Sequence, residues 1–439
     1  MPNNKILGIS VVAILIVAAV AGGFILMGDN DGEETVKKGR LTIFGNANND
    51  DYIDSDDVKF IEKILDDISN GGSWDKEEYP YADANYDGKI TQSDVDTCKN
   101  MVQKKHDHVY YLNSCFEIER ADYPVKTLAG TGTYVLNGIV TLGLEDITYG
   151  ISDSKKWFDD VFWGKIKDTY KISTGMGSAQ TEKVFELMDN MRAEGKVLDC
   201  IITTDNTMSN ANDFINAGVD VLRLPFGDDN EVNAYLILGY MTQREERSHQ
   251  VASFYDEIMD YKDKLSEKNN GKDITALTIY SKKYLYGTNT LHGLITNSLG
   301  ISNIYTPESS GTSQYITLSG NDEWLSNPEW NADHIIGQEK MLYKNDTDIV
   351  SLWKDVYAAS FSVLDAMPKN CVIINDSLLE PLKVAYLLEY LYPDDVEKGY
   401  GDKMHQNFVD KFNSHLSGSY DVTTDGTFCI TYDDVKDKL

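Results

Sequence analysis

Across 439 residues there are only 9 prolines, 7 histidines and 5 cysteines, and positive charge is scarce, 40 Lys+Arg against 71 Asp+Glu for a net charge of −31. Each shortage excludes something. So acidic a chain has no basic surface with which to displace counterions from a phosphate backbone, so nucleic acid is not its partner. Cys98, Cys115, Cys200, Cys371 and Cys429 never fall in a CxxC pair, which removes a zinc knuckle and a dense disulfide framework and leaves one or two bridges open. The histidines do not recur at corresponding loop positions, which disfavours a bare zinc or manganese site. No GxSxG elbow, HExxH or phosphate loop occurs, and "GTGTYVLNG" lacks the strand–turn–helix setting of a nucleotide fingerprint. No catalytic residue is visible.

What is present is globular: 41% hydrophobic and 11% aromatic content in a chain long enough for two or three domains. Residues 6–27, "ILGISVVAILIVAAVAGGFILM", carry no charge and follow Lys5. At 1.5 Å per residue they span the roughly 30 Å of bilayer hydrocarbon. A cleaved signal has a shorter apolar core of about 7–15 residues, so segment 1–27 reads as a single-pass membrane anchor, with "AVAGG" keeping cleavage as a signal open. No cysteine follows closely enough for lipid attachment. An acidic linker, 28–40, leads to what is read as an extracellular ectodomain.

The ectodomain opens with a repeated acidic pattern. In "DANYDGKITQSD", Asp83, Asn85, Asp87, the carbonyl of Lys89 and Asp94 alternate around Gly88, and Ile90 supplies an apolar tie. Calcium takes six to eight hard oxygen ligands from one short loop, which calls for this order of acids, amides, a glycine and a closing carboxylate. A copy 37 positions earlier offers Asn46, Asn48, Asp50, the carbonyl of Tyr52 and Asp57, with Asp51 where glycine is expected. Each loop runs into a stretch with helical apolar spacing, "VKFIEKILDDI" and "SDVDTCKNMV". Two Ca2+ sites are therefore expected, the second the better formed. Loops closing in Asp, each followed by one helix, resemble the dockerin module over about 41–105. That resemblance implies a cohesin-like protein partner; the alternative is a calcium-stapled spacer.

From residue 106 the pattern is β/α. The apolar runs "GIVTLG", "VLDCIITT", "VDVLRLPF", "ITALTIYS", "HIIG" and "CVIIND" alternate with amphipathic stretches such as "AQTEKVFELMDNMRAEG", as parallel strands flanked by helices do. Between them residues 229–268 contain no proline, and Phe254, Ile258, Tyr261 and Leu265 fall at helical spacing, predicting one long helix. The predicted architecture is a lobe at 106–228, a bridging helix at 229–268 and a second lobe at 269–439.

That order of elements, with "YPVKTL", "EDITYGISDS", "GSAQTEKVFELM", "AGVDVLRLP", "LGISNIY", "NDEWLSNPEWNADHIIG" and "CVIINDSLLEPLKVAYLLEYLYP", resembles the substrate-binding proteins of ABC importers for ferric siderophores, haem and cobalamin. The resemblance implies capture of a metal chelate between two lobes at the carboxyl ends of their strands, with little closure because one helix joins the lobes. It also implies docking onto the ABC permease through one surface glutamate per lobe, here Glu182 and Glu323, each in the first turn of a helix. Cleft loops are placed at 137–141, 173–178, 204–210, 226–229, 281–289, 338–345 and 375–378. The candidate ligand residues in them are Asn137, Met176, Met208, Lys282, Tyr284, Tyr286 and Asn375. Two other classes stay open: a chelatase-like enzyme using His249 and His292 across the cleft, and a surface scaffold or adhesion protein working through the calcium module.

Overall fold

The computed structural model describes residues 39–439 apart from 154–158, 176–178, 205–207, 228–229, 269–273, 288–292, 294, 297–298, 306–314, 320–321 and 359–360. The apolar segment 1–27 lies outside the described residues. Among those described, no helix is long and apolar enough to cross a membrane.

Two helices follow the acidic loops. In α1 (Ser55–Ser69) the Asp54 side chain accepts from the first turn while Asp57 reaches back to the cap's own N–H. α2 (Gln92–Val102) is closed in the same reciprocal way by Thr91 and Asp94. Val58, Ile61 and Ile64 pack with Val95, Cys98 and Ile90 in a small core. The module is nevertheless joined to the main body, because Leu41, Ile43 and Met101 belong to the large core. Its backbone also extends a sheet: Phe44 N–H donates to the Tyr110 carbonyl at 2.9 Å and Leu112 N–H to that of Thr42 at 3.0 Å.

Tyr110 and Leu112 lie in β1 (His108–Leu112), which pairs antiparallel with β2 (Ile118–Asp122). The first lobe is a five-stranded parallel sheet of β3 (Leu128–Gly130), β4 (Thr148–Ser152), β5 (Tyr170–Ser173), β6 (Cys200–Thr203) and β7 (Asp220–Arg223) in the order β5-β4-β3-β6-β7. The hairpin covers its β7 edge, with Asp122 N–H on the Asp220 carboxylate at 2.7 Å, so that edge is not left open. Helices α3 (Thr133–Thr141), α4 (Thr181–Ala193) and α5 (Ala211–Asn216) flank the sheet. The expected strand "GIVTLG" and cleft loop 137–141 are instead the last turns of α3 and, for Leu142 and Gly143, its C-terminal end; α3 is buried along nearly its whole length. An apolar run with no exposed face carries no periodicity to separate strand from helix.

The predicted single helix over 229–268 is instead two, α6 (Glu231–Met241) and α7 (Glu245–Lys268). The chain turns at Gln243, whose φ is 58°, and Arg244 N–H returns to the Gly239 carbonyl at 2.6 Å. Gly239 permits the elbow: a Cβ there would lie 2.3 Å from the Ser248 hydroxyl. Every residue of α6 is buried, whereas α7 buries a stripe containing Val251, Phe254, Tyr255, Ile258 and Leu265. With 24 residues, α7 extends about 36 Å.

The second sheet contains β8 (Thr275–Tyr280), β9 (Tyr284–Tyr286), β10 (Ser302–Asn303), β11 (Tyr315–Thr317), β12 (His334–Glu339), β13 (Cys371–Asn375) and β14 (Cys429–Thr431). β8, β12 and β13 are parallel at its centre, β9 and β14 run antiparallel on either side of them, and β11 pairs antiparallel with β9 at the edge. Helices α8 (Ile349–Ala358), α9 (Glu380–Leu391) and α10 (Tyr400–Phe412) complete this lobe. Among the described strands none pairs across from one sheet to the other. All five cysteines are free, so the bridge left open by the sequence does not form.

Arg247 on α7 stitches the lobes together, its Nε donating to the Thr141 carbonyl at 2.5 Å and its Nη2 to the Phe412 carbonyl at 2.9 Å. Beside it Tyr343 N–H bonds Asp159 at 3.0 Å and Asn413 Nδ2 bonds the Phe162 carbonyl at 2.9 Å. Bonds from a charged donor contribute about 1.5–3 kcal/mol each. Arg247→Ala is therefore expected to lower the unfolding free energy by about 2–4 kcal/mol in a denaturant titration, and an unchanged midpoint would contradict the stitch.

Candidate functional site

The two acidic loops share most of their hydrogen bonds, except that the Gly88 N–H bond to Asp83 has no counterpart at Asp51. In the second, Asp83 accepts from Asp87 and Gly88 N–H at 3.0 and 2.7 Å, Asn85 from Asp87 N–H at 3.0 Å, and Asp87 from Lys89 N–H at 3.0 Å. Asp94 closes it, accepting from the N–H of Asn85 at 3.2 Å and Thr91 at 2.8 Å. The first loop has Asp50 N–H on both Asn46 and Asn48 at 3.2 and 3.1 Å, Tyr52 N–H on Asp50 at 2.6 Å, and Asp57 accepting from Asn48 and Asp54 N–H at 3.1 and 2.8 Å. In each loop the side-chain oxygens are taken up by backbone N–H groups of the loop itself.

The loops offer the hard-oxygen donor types that calcium takes, with Asp57 and Asp94 at 0% exposure and Asp83 at 2%, but among the described residues no group of three or more His, Cys, Asp or Glu side chains is placed to hold a metal. Burial pushes Asp57 up to about 7 and Asp83 up to about 6, with Asp50 adding repulsion at the first and Asp94 and Asp87 at the second. A cation bound there removes that penalty. The departure at the sixth position has a structural cause. Gly88 sits at φ +88°, while Asp51 turns its carboxylate outward to Arg40, with Nη2 at 2.6 Å and the backbone N–H at 2.5 Å.

The second candidate site lies where the carboxyl ends of the two sheets meet. From the first lobe comes Tyr134 on α3, its ring seated against Gly227, where a Cβ would lie 2.6 Å away. From the second come Tyr280 at the end of β8, Glu339 at the end of β12, Asp376 just after β13 and Lys383 on α9. The Lys383 ammonium is 6.0 Å from the Tyr134 ring centre and 3.8 Å from Asp376. Burial, followed by the charges of Asp376, Glu231 and Tyr280, holds the Tyr134 hydroxyl protonated. Burial likewise pushes Glu339 up to about 7, against a backbone hydrogen bond from Lys282. Outward along the sheet edge, Tyr280, Tyr284, Tyr286 and Tyr315 form a cluster with centroid separations from 5.2 to 6.3 Å.

The sequence candidates are distributed unevenly around this cleft. Tyr284 and Tyr286 stand in β9 within the tyrosine cluster, and Lys282, beside them, pairs with Asp355 at 2.7 Å. Asn137 ties the lobes, accepting from Trp163 Nε1 at 2.8 Å and donating to the Ser377 carbonyl at 3.1 Å. Asn375 is fully buried beneath the cleft, accepting from Ser377 N–H at 3.0 Å. Met208 packs into the first-lobe core, and Met176 lies outside the described residues. Glu182 is exposed in the first turn of α4; Glu323 begins a 3₁₀ turn, Glu323–Ser326, and not an α-helix. His249 is on α7 against Tyr52, and His292 lies outside the described residues. Tyr134, Tyr280, Glu339, Asp376 and Lys383 were not singled out by sequence. Position at a strand's carboxyl end was the available signal for three of them.

No protein-family model matches the chain, and no curated protein matches it. Solved structures do share its architecture. The chain is similar to a TroA-like periplasmic binding protein from Veillonella parvula, at 14% identity and TM-score 0.56, covering 73% of this chain and 99% of that one. It is similar to the molybdate periplasmic binding protein of a Haemophilus influenzae ABC transporter, at 12% identity and TM-score 0.53, covering 70% and 98%. A Helicobacter pylori protein solved as a nickel–histidine complex matches at 13% identity and TM-score 0.52, covering 76% and 99%. The fold is thus that of TroA-like periplasmic binding proteins.

The loops generate a pH test. Asp57 and Asp83 hold protons in the folded state at pH values where the unfolded chain, with carboxylates near 3.8, has lost them. Chelator-treated protein should therefore lose stability as pH rises from about 4 to about 7, and added calcium should restore it most strongly at the upper end. Thermal melts with and without calcium check this; a calcium effect largest at pH 4 would contradict it.

Proposed function

We propose that this chain is the substrate-binding component of an ABC importer, held outside the cell by its N-terminal segment. It captures an iron–siderophore, haem or corrinoid-like chelate between its lobes, delivers it to the permease, and acts as a binder with no catalytic step. The observation that carries the reading is the convergence of two strand-end surfaces, one per lobe, on a cleft whose lobes are joined through α7. The TroA-like architecture supports it, and one neighbour with that architecture is described with molybdate and another with nickel and histidine.

The groups at this junction have chemistry that a partly aromatic chelate can use. The tyrosine cluster gives a surface on which a macrocycle or catecholate ring stacks, Lys383 offers a donor to an anionic ligand arm, and Glu339 and Asp376 accept from amide or hydroxyl donors. Glu182 and Glu323 are the proposed contacts to permease arginines. Calcium in the two N-terminal loops serves structure. His249, turned toward Tyr52 on the far side of α7, is not placed to act as a cleft base, so the chelatase reading gains nothing from it.

Calorimetry of the full chain with ferric siderophores, haem and corrinoids is the test. At least one should bind with a micromolar or lower Kd, and Tyr286→Ala should weaken it about tenfold, the loss of one stacked ring being about 1–1.5 kcal/mol. Failure of all three classes to bind would overturn the reading.

A further inference from the structure

One buried carboxyl group at the cleft has an oxygen that nothing answers. Glu339 ends β12 at 5% exposure, and its Oε1 has no hydrogen-bond partner among the described residues. An acceptor enclosed in this way is costly to leave unmatched. The lysines nearby are directed elsewhere. Lys282 donates its backbone N–H toward Glu339, while its ammonium goes to Asp355 on α8 at 2.7 Å. Lys383 lies 3.8 Å from Asp376. The Asp376 charge in turn repels that of Glu339, and Glu231, buried at the start of α6, adds a further acid whose field reaches Tyr134 together with that of Asp376.

This corner of the cleft is therefore short of positive charge. An anionic group placed there would meet Glu339 and Asp376 and gain only Lys383. A protonated nitrogen would instead supply the donor that Glu339 Oε1 lacks, and charge-assisted hydrogen bonds of that kind are among the strong ones. Tyr280, on the neighbouring strand β8, sits within the fields of both Asp376 and Glu339, so its ring stands beside the same position, and an aromatic face attracts a cation. We infer that the second-lobe side of the cleft receives a cationic nitrogen of the ligand, a primary ammonium or an amidinium, bonded to Glu339 Oε1 with Asp376 and the Tyr280 ring beside it. This rests on the importer reading given above and narrows its substrate class: a chelate carrying a free protonated amine fits, and a purely anionic one does not. Lys383 is then left for an acceptor arm of the same ligand.

Calorimetry of the full chain with a matched pair of ferric trihydroxamate chelates tests this, one carrying a free primary ammonium and its twin with that amine acetylated, alongside haem, a corrinoid and an anionic ferric tris-catecholate. The ammonium form should bind at least about tenfold more tightly than its twin. Glu339→Gln, with its fold checked by circular dichroism, should erase that preference. A second reading needs no variant. Glu339, which faces Lys282, Asp376, Asp355 and Tyr280, is pushed up to about 7 by burial, and an ammonium favours its ionised form, so the preference should grow from about pH 6 to about pH 8. Equal binding of the twins, tight binding only by chelates that lack an ammonium, or a preference that survives Glu339→Gln or ignores pH overturns the inference and leaves the importer reading standing. Binding of no chelate overturns both.

Discussion

The arrangement depends on a single constraint, that α7 must satisfy partners in three bodies at once. Arg247 bonds a main-chain carbonyl in each lobe, Phe254 packs on Phe408 and Phe412 of the second lobe, and the opposite stripe is gripped from the N-terminal module through Glu245, His249 and Asp256. A helix is stiff along its axis, so two lobes attached to it tilt only by small amounts. Under the proposed function, ligand capture would rely on a cleft that is already shaped, which keeps the ordering cost of binding low.

The acidic module gains its meaning from the same constraint. A spacer would need only to be stable, and its own small core provides for that. Instead its first strand-like segment joins the β1 hairpin, and Asn233 of α6 bonds the Arg40 carbonyl and the Thr42 hydroxyl. Replacing glycine by Asp51 weakens the ideal loop turn, and in exchange the loop acquires a carboxylate aimed at Arg40. A local departure from a motif is thus explained by a contact more than 190 residues away in the chain, at His249 and Asp256.

Much of the fold was legible because buried parallel strands read as unbroken apolar runs: "CIIT", "HIIGQE" and "CVIIN" each became a strand where expected. The capping boxes were not legible: the sequence presents Asp57 and Asp94 as cation ligands, and the structure shows them closing the boxes of α1 and α2. "GIVTLG" was not legible either, because a helix buried on all sides has no polar face to mark its period. The elbow at Gln243 was hidden for a different reason. Left-handed turns are usually announced by glycine or asparagine, and here the permissive residue, Gly239, sits four positions earlier, where α6 and α7 approach most closely. In the cleft, Tyr284 and Tyr286 were visible as local aromatic density, whereas Tyr134 and Lys383 are separated by about 250 residues and meet only after both sheets have formed.

The most direct test of the central claim is native mass spectrometry of the full chain after exposure to medium conditioned by its own cells. The account predicts one small metal chelate retained per chain and lost in the double variant Tyr280→Ala, Lys383→Ala, with the fold intact by circular dichroism. A chelate held equally well by that variant, or a chain that stays ligand-free while binding a polypeptide from the same medium, would contradict it.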